Sequence, residues 1–459
     1  MKNYILLFVF FLLFANSSAQ IVKFAVIGDY GNAGTNELSV SNLVKSWNPE
    51  FIITLGDNNY SNGEASTIDM NIGQYYHEFI FPYTGSYGSG DTVNRFFPSL
   101  GNHDWYTTNA QPYLDYFTLP GNERYYNFVK GNVNFFVIDS DSNEPDGRDS
   151  NSVQALWLKN ALKNSSSDFN IVYFHHPAYS SSSVHGSAAI MQWPFKNWGA
   201  SLVMAGHDHT YERIVKDGFT YIVNGLGGKS IYAFGTPIDG SLVRYNNNYG
   251  AMIINSYEDS LVSEFFSISN SRKDIFTLNK STKSLALTIL PEGLYDQYLD
   301  VMTEDTVRVY LRNSVSPYTL IDSSVQLIDE NGNSNPVYND VQNATEYYIV
   351  IKHRNSIETW SGTSEQFMIN KMEYDFTMDS TSAYGNNLVL KGSKYCIYSG
   401  DVNQDGIIDA SDNTVIDNNS YNFVIGYESS DLNGDGITDL ADLLICENNA
   451  FDIIVSISP

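Results

Sequence analysis

Three observations predict an α/β fold followed by two smaller modules, an all-β sandwich and a loop repeat. From about residue 21 to residue 267, short apolar runs alternate with helical patterns, which is typical of βαβ units. From about residue 284, short alternating runs separated by turn clusters replace the helical patterns. After residue 399, two segments align with a period of 30 residues. A chain of 459 residues exceeds one compact core, so we expect several domains.

The N-terminus has the features of a signal peptide over residues 1–19. Lys2 supplies a positive charge, residues 4–14 are apolar, and Ser17-Ser18-Ala19 forms a small-residue cleavage site. The apolar run of 11 residues is too short to cross a bilayer, and no later stretch is long enough. We therefore expect no membrane span and a protein that is secreted, periplasmic or held at the cell surface. The other predicted boundaries are 20–270 for the α/β domain, 284–398 for the β-sandwich and 399–459 for the loop repeat.

The composition is strongly acidic, with 52 Asp and Glu residues against 25 Lys and Arg residues and a net charge of −27. Such a surface neither attracts polyanions nor gains from counterion release, so the charge excludes nucleic-acid binding and adhesion to anionic membranes. Residues 399–459 contribute 12 acidic and no basic side chains. Cys396 and Cys446 could form one disulfide or remain separate buried thiols, and the sequence leaves both open.

The α/β region contains seven predicted strands and four predicted helices. The strands are expected at 22–27, 51–55, 95–100, 133–138, 170–174, 201–205 and 220–223, and the helices at 36–47, 68–79, 153–162 and 187–198. Five of these strands run directly into polar motifs. Because ligands bind beyond the carboxyl ends of strands in such sheets, we expect the motifs to converge in one cleft.

Five polar motifs follow these strands. They are Gly28-Asp29-Tyr30-Gly31, Gly56-Asp57-Asn58-Asn59-Tyr60, Gly101-Asn102-His103-Asp104, Val172-Tyr173-Phe174-His175 and Gly206-His207-Asp208-His209. In four of them, a glycine before the polar group lets the backbone turn away from the strand. Taken singly, each motif could be an ordinary turn or a buried histidine. Their repetition at five strand ends favours one shared binding site, in which His207 and His209 should point the same way.

These motifs offer two carboxylates, a phenol, an amide oxygen and three imidazoles as metal ligands. Hard oxygens with a phenolate suit a trivalent ion such as Fe(III), whereas nitrogen-rich ligation with one amide oxygen suits divalent Zn, Mn or Fe. Two ions separated by roughly 3.5–4 Å need a shared anionic ligand, and one carboxylate can bridge them. The residue types therefore predict a dinuclear metal site.

Together the five motifs resemble those of the purple acid phosphatases, within the calcineurin-like metallophosphoesterases. The resemblance covers roughly residues 23–213 and implies the metallophosphoesterase fold, a β-sandwich flanked by helices. Ordinary members of the superfamily open with Asp-x-His, but Asp29-Tyr30-Gly31 lacks that histidine and Tyr60 takes its place, as in the iron-containing branch. The resemblance implies that Asp29, Asp57, Tyr60 and His209 hold Fe(III) and that Asp57, Asn102, His175 and His207 hold a divalent Fe, Zn or Mn ion, with Asp57 bridging.

The same resemblance implies a secreted phosphatase that hydrolyses phosphate monoesters, with a metal-bound hydroxide as the nucleophile. His103 and His185 match outer-sphere histidines that contact the substrate phosphate and assist proton transfer. Strand alternation is expected to turn His176 away from His175, and Arg213 is expected to be mostly structural. Two alternatives stay open: a phosphodiesterase or nucleotidase on the same site, and a non-catalytic protein whose interactions depend on calcium.

The region 284–398 contains no catalytic motif. Short strands are predicted at 285–290, 306–311, 324–328, 346–352, 373–377 and 387–390, with turn clusters between them. This pattern indicates an all-β sandwich of about 110 residues.

The tail repeats, residues 401–424 and 431–454, each open with oxygen ligands at positions 1, 3, 5, 9 and 12 of an EF-hand-type loop. The ligands would be Asp401, Asn403, Asp405, Asp409, Asp412, Asp431, Asn433, Asp435, Asp439 and Asp442. The pattern resembles a dockerin and implies two calcium ions and a cohesin-like partner. We favour a calcium-stiffened cap or spacer, because Ala410-Ser411 and Leu440-Ala441 lack the hydroxyl pair common in cohesin recognition.

Overall fold

The computed structural model describes residues 19–459, so the predicted signal peptide lies, except for Ala19, outside the described residues. The chain divides into two compact units. The first holds the described residues up to Lys159 together with Phe169–Lys196 and Ala200–Lys280, and the second holds Asn160–Asp168, Asn197–Gly199 and Ser281–Pro459. Across residues 19–459, no helix is both long and apolar enough to cross a membrane.

The first unit is built from two β-sheets and short helices. Its strands are β1 Val22–Ile27, β2 Phe51–Thr54, β3 Phe96–Pro98, β4 Tyr126–Lys130, β5 Val133–Val137, β6 Phe169–Tyr173, β7 Leu202–Ala205, β8 Tyr211–Lys216, β9 Phe219–Asn224, β10 Ser241–Tyr245, β11 Gly250–Ser256, β12 Ser260–Ser267 and β13 Ser271–Asn279. The helices over the same part of the chain are α1 Thr35–Ser46, α2 Ala65–Ile68, α3 Gln74–Tyr76, α4 Gln111–Tyr116, α5 Val153–Lys163 and α6 Phe195–Trp198.

One sheet has the strand order β13-β12-β11-β1-β2-β3, and the other has the order β10-β8-β9-β7-β6-β5-β4. β1, β2 and β3 run parallel, and so do β5, β6, β7 and β9. The sheets share one core, in which Phe135 of the second sheet meets Phe24 and Phe51 of the first with ring centroids 4.9 and 5.4 Å apart. Burying each of these rings contributes roughly 1.5–3 kcal/mol. The parallel strands bring the predicted motifs to the carboxyl ends of both sheets.

All seven strands predicted in the α/β region are present, but two of its four predicted helices differ from expectation. The helix expected at 187–198 is reduced to a 3-10 turn, Ala189–Met191, and the short α6. Pro194 explains the difference, because a proline disfavours helical geometry in the residue before it and supplies no N–H. The helix expected at 68–79 is interrupted by a π-helical turn, Asp69–Gly73, and ends in a 3-10 turn, His77–Phe79.

The strands missed by the sequence analysis are mainly antiparallel ones, such as β12. Along β12, every second residue is buried, as expected of a strand with one solvated face. Two of its buried positions are occupied by Ser263 and Ser267, which are 1% and 0% exposed. Because polar residues fill these inward positions, the apolar alternation that would have predicted the strand is hidden.

The second unit is predominantly β-structure. Its strands are β14 Lys283–Thr288, β15 Tyr295–Asp296, β16 Val301–Met302, β17 Asp305–Asn313, β18 Leu320–Ile328, β19 Asn333–Ser334, β20 Val337–Tyr338, β21 Glu346–His353, β22 Ser356–Trp360, β23 Glu365–Gln366, β24 Lys371–Asp375, β25 Val389–Lys391, β26 Lys394–Cys396, β27 Ile407–Ile408 and β28 Ile454–Val455. The largest sheets have the orders β18-β17-β21-β22 and β19-β14-β20, with β24 parallel to β14. Each of the six strands predicted here overlaps an observed one, whereas β22 and the short strands β15, β16, β19, β20, β23, β26, β27 and β28 were missed.

The C-terminal end of this unit contains two similar helices, α7 Ala410–Tyr421 and α8 Leu440–Asp452. Each begins with a capping box, in which the Asp409 or Asp439 side chain accepts a hydrogen bond from a backbone N–H of the first helical turn. Such reciprocal caps satisfy backbone N–H groups that have no partner within the helix. Cys396 and Cys446 are both buried and free, in different apolar clusters, which resolves the pairing question.

Candidate dinuclear metal centre

The predicted ligands lie just beyond the ends of parallel strands in both sheets of the first unit. Asp29 follows β1 and Asp57 follows β2, while Asn102 lies beyond β3. In the other sheet, His175 follows β6 and His207 follows β7, with His209 two residues later. Five segments that are distant in sequence therefore deliver their polar side chains to one place, as the strand-end motifs predicted.

Tyr60 lies at the centre of one half of the cluster. Its hydroxyl is 2.8 Å from Asp57 Oδ2, 3.1 Å from Asp29 Oδ1 and 3.3 Å from His209 Nε2. His209 Nε2 is itself 3.3 Å from Asp29 Oδ1. These four side chains are the set that the family resemblance implied for a trivalent ion, and their oxygen and nitrogen atoms converge.

His175 lies at the centre of the other half. Its Nε2 is 3.1 Å from Asn102 Oδ1, 3.3 Å from Asp57 Oδ1 and 3.1 Å from His207 Nδ1. The Asp57 carboxylate therefore presents Oδ2 to the tyrosine half and Oδ1 to the histidine half. This is the arrangement that a bridging carboxylate requires.

The two predicted outer histidines lie beside these halves. The backbone N–H of His103 donates to Asp57 Oδ1 at 2.9 Å, and the ring directs Nδ1 to the Ser61 carbonyl at 2.5 Å. Its Nε2 lies 3.9 Å from Asp57 Oδ2. The His185 ring lies 4.0 Å, between centroids, from the ring of His207. Both imidazoles therefore adjoin the ligand cluster.

The backbone around the cluster is unusually constrained. Asp29, Asp57 and His207 have φ angles of 56°, 52° and 67°, in the left-handed region that non-glycine residues rarely adopt. A Cβ on Gly206 would lie 2.6 Å from both Asp29 Oδ2 and the Leu55 carbonyl oxygen. A glycine is required there because two segments approach too closely for any side chain. The surrounding fold thus fixes the ligands in advance.

Buried charge dominates the electrostatics of the cluster. Asp29 and Asp57 are 0% and 2% exposed. Burial opposes ionisation of Asp57, but His175 and His103 hold the pKa of that carboxyl well below its usual range. Burial also opposes the charged form of His175, yet Asp57 raises the pKa of that imidazole to about 10. Without a metal, a proton on His175 compensates the buried carboxylate.

The tyrosine behaves differently from the histidine. Burial, followed by the charges of Asp57 and Asp29, raises the pKa of the Tyr60 phenol well above its usual value. Two carboxylates next to one phenol disfavour any further negative charge. A highly charged cation would reverse that balance and stabilise the phenolate.

The donor set fits two metal ions. His175 directs Nδ1 to the Leu55 carbonyl oxygen at 2.8 Å, and His209 directs Nδ1 to the Ser230 hydroxyl, so each turns Nε2 toward the carboxylates. Metal ions would displace the compensating protons. Among the described His, Cys, Asp and Glu residues, the groups of three side chains that bring their ligand atoms within 4.8 Å of one another are Asp29–Asp57–His175 and His175–His176–His207.

Residues 22–211 match the family described as calcineurin-like phosphoesterase. This segment forms a calcineurin-like phosphoesterase domain. Purple acid phosphatase 17 of Arabidopsis thaliana is 26% identical over 242 residues, which cover 46% of this chain and 69% of that protein. Human tartrate-resistant acid phosphatase type 5 is 23% identical over 318 residues, which cover 60% of this chain and 93% of that protein. The protein is thus a hydrolase of phosphoric ester bonds.

Two solved structures align with more than half of this chain. A purple acid phosphatase from yellow lupin seeds aligns with a TM-score of 0.48 and 16% identity, over 56% of this chain and 53% of its own. The GAP50 anchor in the inner membrane complex of Plasmodium aligns with a TM-score of 0.46 and 21% identity, over 57% of this chain and 89% of its own.

Asp104 and Asn58 are polar residues of the phosphoesterase domain whose roles appear only in the structure. Asp104 is buried and accepts hydrogen bonds from the backbone N–H of Gly101 at 2.9 Å and from the backbone and side-chain nitrogens of Asn58 at 3.2 and 2.9 Å. Asn58 also accepts from the Tyr30 hydroxyl at 3.0 Å. These bonds join the motifs that follow β1, β2 and β3. In the sequence, only the positions of Asp104 and Asn58 within strand-end motifs pointed to a role for them.

Two buried acids hold the serine-rich loop that carries His185. Glu212 accepts hydrogen bonds from the Ser181 N–H at 2.7 Å and from its hydroxyl at 2.5 Å. Asp208, within the last ligand motif, accepts from the Gly186 N–H at 3.1 Å. The histidine is therefore positioned by bonds on both sides of it in sequence.

The expectation that His176 points away from His175 is wrong. β6 ends at Tyr173, so the strand alternation on which the expectation rested stops before these two histidines. The ring of His176 lies 4.4 Å from that of His207, and its Nδ1 is 2.8 Å from the Ser140 hydroxyl. Burial lowers the pKa of His176 to about 3, so the ring stays neutral.

Two cationic side chains complete the description. Lys229 places its Nζ 4.7 Å above the ring of Tyr60 and donates to Asn32 Oδ1 at 3.0 Å. It adds positive charge beside the cluster, and none of the strand-end motifs pointed to it. Arg213 binds Asp274 through Nε at 2.7 Å and Nη2 at 3.1 Å, which is a structural contact.

Proposed function

We propose that the protein is a secreted phosphatase of the purple acid phosphatase type, which hydrolyses phosphate monoesters with Fe(III) and a divalent Fe, Zn or Mn ion. One observation carries the proposal: the Tyr60 hydroxyl lies 2.8 Å from Asp57 and 3.1 Å from Asp29. A phenolate is a hard anionic ligand that suits a trivalent ion. Because the pKa of Tyr60 is raised, the ion rather than the solvent pH has to generate that phenolate.

The two ions, when bound, would polarise the phosphoryl oxygens and supply an activated water. The chain's own residues set the geometry. Asp57 presents one oxygen to each half of the cluster, so this carboxylate would contribute a ligand atom to both metal ions. His103 turns Nε2 toward the site, because its Nδ1 is bonded to the Ser61 carbonyl. When the ring carries a second proton, its Nε2–H in that position can bind a phosphate oxygen and protonate the leaving alkoxide.

Metal analysis with visible spectroscopy of the full-length protein tests the metal assignment. We expect about one iron and one divalent ion per chain and a tyrosinate-to-iron charge-transfer band. Tyr60→Phe should abolish the band, whereas Tyr298→Phe should preserve it, because Tyr298 is 90% exposed in the second unit. No band in air-oxidised wild-type protein at full metal occupancy would overturn the iron assignment and favour a Mn or Zn phosphodiesterase.

A substrate panel tests the reaction. We expect p-nitrophenyl phosphate to be hydrolysed faster than bis(p-nitrophenyl) phosphate, with the difference largest in mild acid. Faster hydrolysis of the bis-ester would support the phosphodiesterase alternative, and preference for nucleoside monophosphates would support the nucleotidase. N-terminal sequencing of protein recovered outside the cell tests export, with Gln20 as the expected first residue.

We also propose that the two tail loops each bind one calcium ion. The proposal is supported by their matching hydrogen bonds: Asp412 accepts from the Val402 N–H at 2.9 Å, and Asp442 accepts from the Leu432 N–H at 2.7 Å. Burial, followed by the charge of Asp412, raises the pKa of Asp401 to about 6. Calcium would relieve that repulsion by neutralising the carboxylates.

The contacts of the tail favour a structural cap over a free dockerin-like module for a cohesin-like partner. Asn355 Nδ2 and Arg354 Nη1, next to β22, donate to the Asp431 carbonyl oxygen at 2.9 and 2.7 Å. Asn449 of α8 donates to Glu292 Oε2 at 2.7 Å. Thermal melting with calcium and with EGTA tests this role: we expect calcium to raise the melting temperature of the second unit. An unchanged melt would contradict the proposal.

A further inference from the structure

We infer that Tyr106 is a positioning residue for the metal centre, whose hydroxyl orients the Asn102 amide and whose ring holds the His103 imidazole. The inference rests on the proposed function, since it concerns a residue that acts through two predicted site residues. Tyr106 is 60% exposed, so burial in the core does not explain a large aromatic side chain there. Its contacts are instead with the site.

The first contact sets the direction of an amide. Asn102 Nδ2 donates to the Tyr106 hydroxyl at 3.2 Å, while Asn102 Oδ1 lies 3.1 Å from His175 Nε2. An amide can offer a metal only its oxygen, because its NH2 group is a donor without a lone pair for coordination. The opposite orientation would turn that NH2 group toward the metal position. By accepting from Nδ2, the phenol fixes the outer end of the amide, and the contact with His175 Nε2 leaves Oδ1 as the inward atom.

The second contact supports an imidazole. The His103 ring lies between two tyrosines, 4.3 Å from the Tyr60 centroid and 4.8 Å from the Tyr106 centroid. The Tyr106 ring meets it edge-on, at an interplanar angle of 66°. Such aromatic pairs contribute roughly 0.5–1.5 kcal/mol beyond the area they bury. Tyr106 thereby restrains a ring that also contacts Tyr60, a predicted ligand.

The backbone that carries Tyr106 is fixed by its neighbours. Asp104 and Tyr106 bound a 3-10 turn, in which the Asp104 N–H donates to the Gly101 carbonyl at 3.1 Å. Trp105, in the middle of the turn, donates from Nε1 to buried Asp139 at 2.7 Å. These two hydrogen bonds hold the turn in place, so Tyr106 lies at a defined distance from Asn102. A residue placed this firmly at the surface can act as a rigid support.

The experiment measures zinc affinity rather than activity alone. The divalent ion is removed from the purified full-length protein, and the Kd for Zn2+ is determined by competition with a chromophoric chelator. We expect Tyr106→Phe to raise this Kd by roughly tenfold or more, as is typical when a residue orienting a ligand is lost. Tyr106→Leu should raise the Kd similarly and, at saturating Zn2+, should also lower kcat below that of Tyr106→Phe, because the support of His103 is lost as well.

Tyr298→Phe, which removes a hydroxyl from an exposed tyrosine of the second unit, is the matched control and should leave the zinc Kd unchanged. A thermal melt verifies that each variant is folded, which the exposure of Tyr106 favours. An equal Kd for wild type and Tyr106→Phe, in a protein that binds both metals, would overturn the positioning role alone. A wild-type protein that binds no second metal would overturn the proposed function itself.

Discussion

The dinuclear cluster and the C-terminal loops both collect acidic side chains, but over very different distances along the chain. Tyr60 and His209 are 149 residues apart in sequence and meet at 3.3 Å. In the tail, the Asp401 carboxylate accepts from the N–H of Gly406, five residues later. One cluster is assembled by the fold of a whole unit, and the other by the turns of a single loop.

The comparison shows how each site overcomes the repulsion between carboxylates that lie close together. Asp29 and Asp57 are held in a buried cluster by left-handed backbone and close packing, so they stay together whether or not a cation is bound. In the loops, Asp405 and Asp435 are exposed, and each carboxylate accepts from one backbone N–H and one asparagine side chain nearby in sequence. We therefore expect the first site to depend on packing and the second to depend on calcium.

The largest expected effect comes from removing the bridging carboxylate. Asp57→Asn should lower kcat/KM by roughly a thousandfold, because a metal ion supplies several kcal/mol of transition-state stabilisation and each 1.36 kcal/mol is worth a factor of ten. Asp401→Asn, the matched change in a tail loop, should leave phosphatase activity unchanged. Assays with p-nitrophenyl phosphate measure both. Equal losses in the two variants would contradict the separation of the sites.

A pair of glycine substitutions sharpens the contrast in packing. Gly206→Ala should destabilise the first unit by roughly 1–3 kcal/mol, because the new methyl group would overlap the Asp29 carboxylate and the Leu55 carbonyl. Gly436→Ala has open space around its Cβ but a φ of +81°, so it should cost only roughly 1–2 kcal/mol of backbone strain. Thermal melts compare their stabilities. If Gly206→Ala loses iron and Gly436→Ala does not, the packing explanation is supported. Retention of iron in Gly206→Ala would weaken it.

The pH dependence of calcium binding distinguishes the loops from the buried cluster. Burial and the nearby Asp412 raise the pKa of Asp401 to about 6, so protons should compete with calcium as the pH falls through that value. The calcium affinity of the first loop should be roughly tenfold weaker at pH 5 than at pH 7. Without calcium, the stability of the folded state should depend on pH in the opposite direction. The raised pKa of Asp401 stabilises the folded state at low pH, and this stabilisation is lost as the pH rises through about 6.

Isothermal titration at the two pH values measures the calcium affinity, and melts in EGTA measure the reversed trend. Asp401→Asn should remove most of the pH dependence of the first loop. If the variant and the wild type show the same pH dependence, another group in the loop is responsible.

The smallest expected effect separates the two loops from each other. The Ser411 hydroxyl donates to Asp409 Oδ1 at 2.7 Å and accepts from Asn403 Nδ2 at 2.9 Å, whereas Ala441 occupies the equivalent position. Ser411→Ala should therefore weaken calcium binding to the first loop by roughly 0.5–1.5 kcal/mol, the net value of a hydrogen bond. Ala441→Ser is the reciprocal variant and should strengthen the second loop. Calorimetry of both variants tests whether this serine distinguishes the repeats.

Much of the fold of the first unit could be predicted, because its parallel strands are continuous apolar runs that end in polar motifs. The same method failed at residues 187–198, where the apolar pattern suggested a helix that Pro194 interrupts. It also failed at His176, because strand alternation was applied to residues that lie beyond the end of β6. Predictions based on periodicity were thus reliable within elements and unreliable just beyond them.

Residue types at the strand ends together with the family resemblance named the seven candidate ligands, and spacing named the ten loop positions, since a side chain's affinity for a metal is an intrinsic property and the loops are local in sequence. The distances around Tyr60 and His175, the protonation of those groups, and the supporting contacts of Tyr106 required the folded chain. The physical reason is that burial and electrostatic interaction depend on neighbours brought together from distant segments, which no local pattern records.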